Sequence, residues 1–170
     1  MTLSSFVSRS HSIRVLVLGA FIAAAVLATG AFGVRDADAD SSNAGVFLLR
    51  NKATSFYLDS NADRDVYAHA YNGGAYQKWV FVSSGDGYYF LRDDATGFYL
   101  DSNADRDVYT HGYNGGSYQQ WRLTRNSEGY YTLRNKATGF MLDSNANRDV
   151  YTHSSNGGSY QQWRLIATES

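Results

Sequence analysis

The chain has 170 residues, a net charge of −1, and neither cysteine nor proline. The missing cysteines exclude disulfide frameworks, thiolate metal sites and cysteine nucleophiles, and near-neutral charge argues against a nucleic-acid binder, which needs a basic surface. Aromatic residues reach 15% of the chain, with 14 Tyr, 9 Phe and 3 Trp; they favour strands and flat apolar contacts, and the composition excludes collagen-like and coiled-coil classes.

At the start of the chain, Arg9 and Arg14 precede an apolar stretch from Val15 to Phe32, and Ala37-Asp38-Ala39 follows as a small-x-small cleavage site. A positive flank, an apolar middle and a small-residue end predict a secretory signal peptide over residues 1–39. A retained signal anchor is the competing reading, because the stretch approaches the ~20 residues needed to span a bilayer. Its Gly and Ala content and the A-x-A site favour cleavage. The expected mature chain begins near Asp40, with a short segment 40–44 and then about 130 residues, enough for one packed core. The expected location is extracellular, with no stable membrane insertion after cleavage.

Three copies of one unit fill the remainder. Gly45–Asp86, Gly87–Glu128 and Gly129–Ser170 are each 42 residues and align without a gap; the second and third are identical at 30 positions. Each copy reads as four short strands of period two. In the first, Phe47 and Leu49 mark the inward side of one strand, and Asn51–Ser55 turn the chain. Phe56 and Leu58 mark the second strand, Val66–His69 form the third, and Trp79 and Phe81 belong to the fourth. Val80 falls at an outward position, held by Arg122 and Arg164 in the other copies. Turn signals lie at Asp59–Asp65, Asn72-Gly73-Gly74 and Ser84–Gly87, and no segment has a helical period. The class is all-β. Twelve strands in three equal units, without propeller marks or polar end caps, favour a closed arrangement with pseudo-threefold symmetry.

Three Gln-x-Trp triplets, Gln77-Lys78-Trp79, Gln119-Gln120-Trp121 and Gln161-Gln162-Trp163, occur once per unit, each inside a longer string LDSN-x-x-x-x-VY-x-x-x-x-NGG-x-YQ-x-W. This pattern resembles the ricin B-type β-trefoil lectin family along the whole expected mature chain. The resemblance implies a β-trefoil, a six-stranded barrel capped by three hairpins, with one shallow sugar pocket per repeat. The Gln-x-Trp residues are assigned to folding: an inward Trp is core, and its Gln satisfies buried backbone groups.

Binding an uncharged sugar needs a carboxylate to accept from hydroxyls, an amide to donate and accept, and an aromatic face for the C–H side of the ring. Each copy supplies this set within a short span: Asp59, Tyr67 and Asn72; Asp101, Tyr109 and Asn114; Asp143, Tyr151 and Asn156. The resemblance points to the same positions. Taken singly, Asp59 fits an Asx-turn equally well, and Asn72 a left-handed turn. Replacing each Asp by Ala is expected to lower multivalent binding stepwise, with little change in fold if those side chains are exposed.

Asp59–Asp65 has the acidic spacing of an EF-hand loop, but Arg64 stands where that loop needs Gly and Ala70 where it needs Glu. A polar hairpin loop, with the Arg pairing against its Asp neighbours, is expected instead. His69, His111 and His153 form a symmetric set for which a pocket-rim position is expected over a metal site. No metal and no cofactor are expected. Here the chain departs from the one member of that family it most resembles, which has Leu-Pro at His69-Ala70, His111-Gly112 and His153-Ser154; Tyr71 and Tyr113 become Ser155 in the third copy. Asp93-Asp94 occurs in one copy only, and no nucleophile elbow, zinc-protease or phosphate-loop motif is present, so catalysis is not expected. The expected function is a secreted lectin for mannose-type glycans or glycoproteins. The alternatives are a polysaccharide-targeting accessory module of an extracellular hydrolase system and a protein-binding trefoil.

Overall fold

Residues 45–168 are described by a computed structural model; the expected signal peptide and the segment 40–44 lie outside the described residues. Each copy contributes four strands: β1 (Gly45–Asn51), β2 (Tyr57–Ser60), β3 (Val66–His69) and β4 (Trp79–Gly85) in the first; β5 (Tyr88–Asp93), β6 (Tyr99–Ser102), β7 (Val108–His111) and β8 (Trp121–Arg125) in the second; β9 (Tyr131–Asn135), β10 (Met141–Ser144), β11 (Val150–His153) and β12 (Trp163–Ala167) in the third. All pairings are antiparallel. β1 pairs with β4, β4 with β5, β5 with β8, β8 with β9, β9 with β12, and β12 returns to β1. Six strands therefore close a barrel that leaves no free edge. The hairpins β2–β3, β6–β7 and β10–β11 cover one end. This is the β-trefoil expected from the repeats.

The inward positions make one core. Trp79, Trp121 and Trp163 are fully buried, together with Leu49, Leu58, Leu91, Leu100, Leu133 and Leu142. Each indole N–H donates to a hairpin carbonyl, of Leu58, Leu100 or Leu142, at 3.0–3.2 Å. One residue thus contributes to the barrel interior and fastens the hairpin above it, which in isolation is at best marginally stable. A 3-10 turn precedes the Trp in each copy, at Ala75–Gln77, Ser117–Gln119 and Ser159–Gln161. The sequence pattern gives no sign of it, because three residues are too short to show a helical period.

The copies interlock through the arginines of their hairpin loops. Arg64, Arg106 and Arg148 adopt positive φ values of 76°, 77° and 74°. Their carbonyls accept from the third strand of the next copy: Thr110 donates to Arg64, Thr152 to Arg106, and Ala68 to Arg148, at 2.8–2.9 Å. Their guanidinium groups lie 5.0–5.2 Å over Phe98, Phe140 and Phe56, again of the next copy. This corrects the expected Arg–Asp pairing: the arginine turns to a neighbouring aromatic face, where cation–π attraction operates. It is Asn61 that engages Asp65, through both its amide donor and its oxygen.

Val80 holds the expected outward position, outside the central core cluster. It is buried there, as are the outward Leu48 and Phe90. On this face Val80 sits between Val46 and Arg92, so the outer wall of the first copy is apolar where the others carry arginine.

Candidate functional site

Cross-strand register sets the geometry of each hairpin. Asp59 lies opposite Tyr67, and Tyr57 opposite His69, so period two places these four side chains on one face. Leu58, Ala68 and Val66 take the other face and join the core. The same pairing brings Asp101 to Tyr109 and Asp143 to Tyr151. His69, His111 and His153 each contact the following residue's carbonyl at 3.0–3.1 Å through Nδ1, and the Tyr67 and His69 rings meet edge-on at 6.3 Å. Among the described residues no group of three or more His, Asp or Glu is placed to hold a metal ion.

The Gln of each Gln-x-Trp triplet organises the set. Gln77 Nε2 donates to Asp59 Oδ2 and to the Ala70 carbonyl, both at 2.9 Å, while its Oε1 accepts from the Asn72 backbone at 3.1 Å. Gln119 and Gln161 repeat this frame on Asp101, Gly112 and Asn114 and on Asp143, Ser154 and Asn156. The reading of this Gln as a folding residue was incomplete: it also fixes the carboxylate and the amide of the candidate site. The Asn side chain caps its own turn, Asn72 Oδ1 accepting from Gly74 N–H at 2.7 Å. Its Nδ2 reaches Asp59 at 3.2 Å. Gly73 follows at φ 71°, a conformation that favours glycine.

The carboxylates are far less open than the sequence reading allowed for. Asp59, Asp101 and Asp143 are only 2–3% exposed. Asp59 accepts from Ser60 N–H, Gln77 and Asn72, which leaves limited acceptor capacity toward the surface. Burial raises the pKa of Asp59 and of Asp101 above the ordinary 3.8, against the lowering effect of these hydrogen bonds and of the nearby histidine. Asp59→Ala removes a buried acceptor from three donors, so it tests the fold as much as the pocket.

Tyr67, Tyr109 and Tyr151 are half-buried, and their hydroxyls donate to the carbonyls of Ser60, Ser102 and Ser144 at 3.2–3.4 Å. Burial, then the charge of the facing Asp, raises their pKa above 10.0, so the phenol stays a neutral donor. The exposed amides of Asn72, Asn114 and Asn156 complete each set. The structure thus brings all nine sequence-assigned residues together in three like groups.

Two kinds of aromatic residue go unnamed in the sequence pattern, Tyr76 with its counterparts and Tyr57 with Tyr99, whereas Tyr71 and Tyr113 are already marked by their change to Ser155. Tyr76, Tyr118 and Tyr160, immediately before the Gln, are 37–39% exposed; Tyr76 lies near enough to Tyr67 to raise its pKa. Tyr57 and Tyr99 share the Asp face, and the 63%-exposed Tyr71 and Tyr113 pack on them at 5.4 and 5.1 Å. Strand alternation from Asp59 back to Tyr57 was the available signal. In the third copy both members change together, to Met141 and Ser155.

A ricin-type β-trefoil lectin domain-like family model matches residues 37–114 and 117–170. No curated protein matches the chain by sequence. Among solved structures, a designed threefold-symmetric protein, ThreeFoil, is 33% identical over 72% of this chain and 98% of its own, with a TM-score of 0.68. SeviL, solved with asialo-GM1 saccharide, is 21% identical over 72% of this chain and 97% of its own, TM-score 0.63. An exo-β-1,3-galactanase from Clostridium thermocellum is 24% identical over 73% of this chain and 30% of its own, TM-score 0.68. The family match, spanning most of the chain and agreeing with the barrel and its three hairpins, identifies this protein as a member of the ricin-type β-trefoil lectin domain-like family.

Proposed function

We propose that the chain is an exported, non-enzymatic lectin that binds mannose-type glycans through three pockets, one per copy. The observation that carries this reading is the threefold recurrence of one polar frame, Asp–Gln–Asn, beneath exposed tyrosine. In each pocket the exposed Asn amide donates to and accepts from sugar hydroxyls, the Asp behind it offers only its remaining acceptor capacity, and Tyr67, Tyr109 or Tyr151 covers the apolar side of the ring. A glycan array probed with the mature protein tests the reading: enrichment of mannose-rich glycans is expected, and an array with no glycan retained overturns it. Export is tested on the same preparation, because an intact mass that still includes residues 1–39 contradicts cleavage near Ala39.

A second reading, a polysaccharide-targeting accessory module, draws on the likeness to part of a galactanase. Retention on plant-type polysaccharide without retention on mannose-rich glycans favours it.

A further inference from the structure

Two clusters of cations on the barrel wall have no part in the pockets described above. One cleft is lined by Arg50, Asn51, Lys52, Ser55, Tyr130 and Arg164. Arg50 and Arg164 stand directly opposite each other on β1 and β12. Lys52 Nζ and the Arg164 guanidinium lie over the Tyr130 ring at 4.8 and 4.6 Å. The second copy repeats the arrangement. Arg122 and Arg134 are opposed on β8 and β9, and Arg122 and Lys136 lie over Tyr88 at 4.6 and 4.7 Å.

Like charges directly opposite on neighbouring strands destabilise a sheet, and folding does not require them here. At the third equivalent place Arg92 faces Val80, with Asp94 where the lysine stands elsewhere and Val46 where the tyrosine stands. Donors also remain unused. Arg50 Nε is bonded to the Ser55 carbonyl and Arg134 Nε to that of Gly139, which orients both guanidinium groups while their terminal nitrogens donate to nothing among the described residues. The Arg164 guanidinium donates no hydrogen bond within the same residues. Arg122 donates once, to the Asp86 carbonyl. The sole ion pair among the described residues, Lys52 to the well-exposed Glu128 at 2.9 Å, sits at the rim of the first cluster.

We propose that these two clusters are binding sites for the oxyanion groups, sulfate or carboxylate, of acidic glycans. An oxyanion between two opposed guanidinium groups turns their repulsion into charge-assisted, bidentate hydrogen bonding. The location fits a glycan-borne anion. Lys52 Nζ donates to Gln162 Oε1, and Gln162 Nε2 to the Gly157 carbonyl in the Asn156 turn; Lys136, Gln120 and Gly115 repeat the chain beside Asn114. Each lysine is therefore one side chain away from a proposed sugar pocket, Lys52 from that of the third copy and Lys136 from that of the second. That adjacency rests on the lectin reading; the oxyanion sites themselves do not.

The test measures binding of the mature protein to dextran sulfate, polygalacturonate, neutral dextran and a mannose-rich glycan, at low and moderate salt. Binding to one or both charged polymers, weakening with salt, is expected, with none to dextran. The double variant Arg122→Val/Arg164→Val reproduces the side chain at Val80 and should keep its melting temperature and its binding to mannose-rich glycan. Its affinity for the charged polymer should fall ~10-fold, in line with loss of one charge-assisted, bidentate contact in each site. Charged-polymer binding that is unchanged in the double variant, or no tighter than binding to dextran, overturns the proposal. So does inorganic sulfate that displaces the polymer at equal sulfate-group concentration. Loss of only the mannose-rich glycan signal sinks the pocket reading and leaves these sites standing.

Discussion

Asp93 stands where the other copies have Asn51 and Asn135, and all three side chains are at most 1% exposed. The two asparagines donate to the carbonyls of Tyr160 and Tyr118 at 2.7 Å; an ionised Asp has no proton to give. Asp93 instead accepts from Thr96 and Ser60, and burial raises its pKa above 3.8. The folded state thus holds the proton more tightly than the unfolded chain. Stability is fullest below about 3.8 and is lost as pH rises through the raised value. Asp93→Asn should restore the donor and remove the charge, gaining about 1 kcal/mol at neutral pH, the net worth of one hydrogen bond. Thermal melts of both proteins across the acid range check this; a gap that does not narrow on acidification contradicts the assignment. The residue scale is also where the sequence was least legible. The paired set of Asp, Tyr and Asn could be read from its recurrence. The burial of Asp59 could not, because it depends on a Gln eighteen positions away, brought round by a 3-10 turn too short to leave a pattern.

At the scale of elements, the strands were legible because inward Phe, Leu and Trp alternate with polar residues in all three copies, and identical turn residues punctuate them. The links between copies were not, since Arg64 and Phe98 belong to different repeats and each has a local alternative. Left-handed backbone at Arg64 costs roughly 1–2 kcal/mol for a residue with a Cβ, while an exposed cation–π contact returns about 0.5–1 kcal/mol. Arg64→Gly should therefore change stability little, with relief of strain and loss of contact nearly offsetting. A double-mutant cycle with Phe98→Leu separates the two and should give a coupling of about 0.5–1 kcal/mol. The matching cycle with Phe56, in the same copy as Arg64, should give none. Equal couplings, or coupling to Phe56 alone, would contradict the copy-to-copy contact.

For the whole molecule, the three proposed pockets on one barrel make valency the quantity to measure. A shallow pocket with a few hydrogen bonds and one ring contact should hold a monosaccharide at around millimolar, about 4 kcal/mol. Simultaneous engagement of a dense glycan surface should raise avidity by ~10²–10⁴-fold where the geometry allows. Because the carboxylates are buried, Asn72→Ala, Asn114→Ala and Asn156→Ala are the better probes; these side chains are exposed. Each should lower surface avidity in a step, with the third copy contributing least, since Met141 and Ser155 remove its aromatic pair. Surface plasmon resonance on a glycan-coated chip, beside titration with free sugar, reads both quantities; one substitution that abolishes both signals is incompatible with independent pockets. The closing seam of the barrel has a further consequence. β1 lies against β12 over five register pairs, from Phe47 with Ala167 to Asn51 with Trp163, and Thr168 N–H donates to the Val46 carbonyl at 3.0 Å. The earliest strand of the fold waits for the latest, so a ribosome that has released two copies has made a sheet with two raw edges and no native wall. Closure of the barrel therefore waits until the third copy has been made.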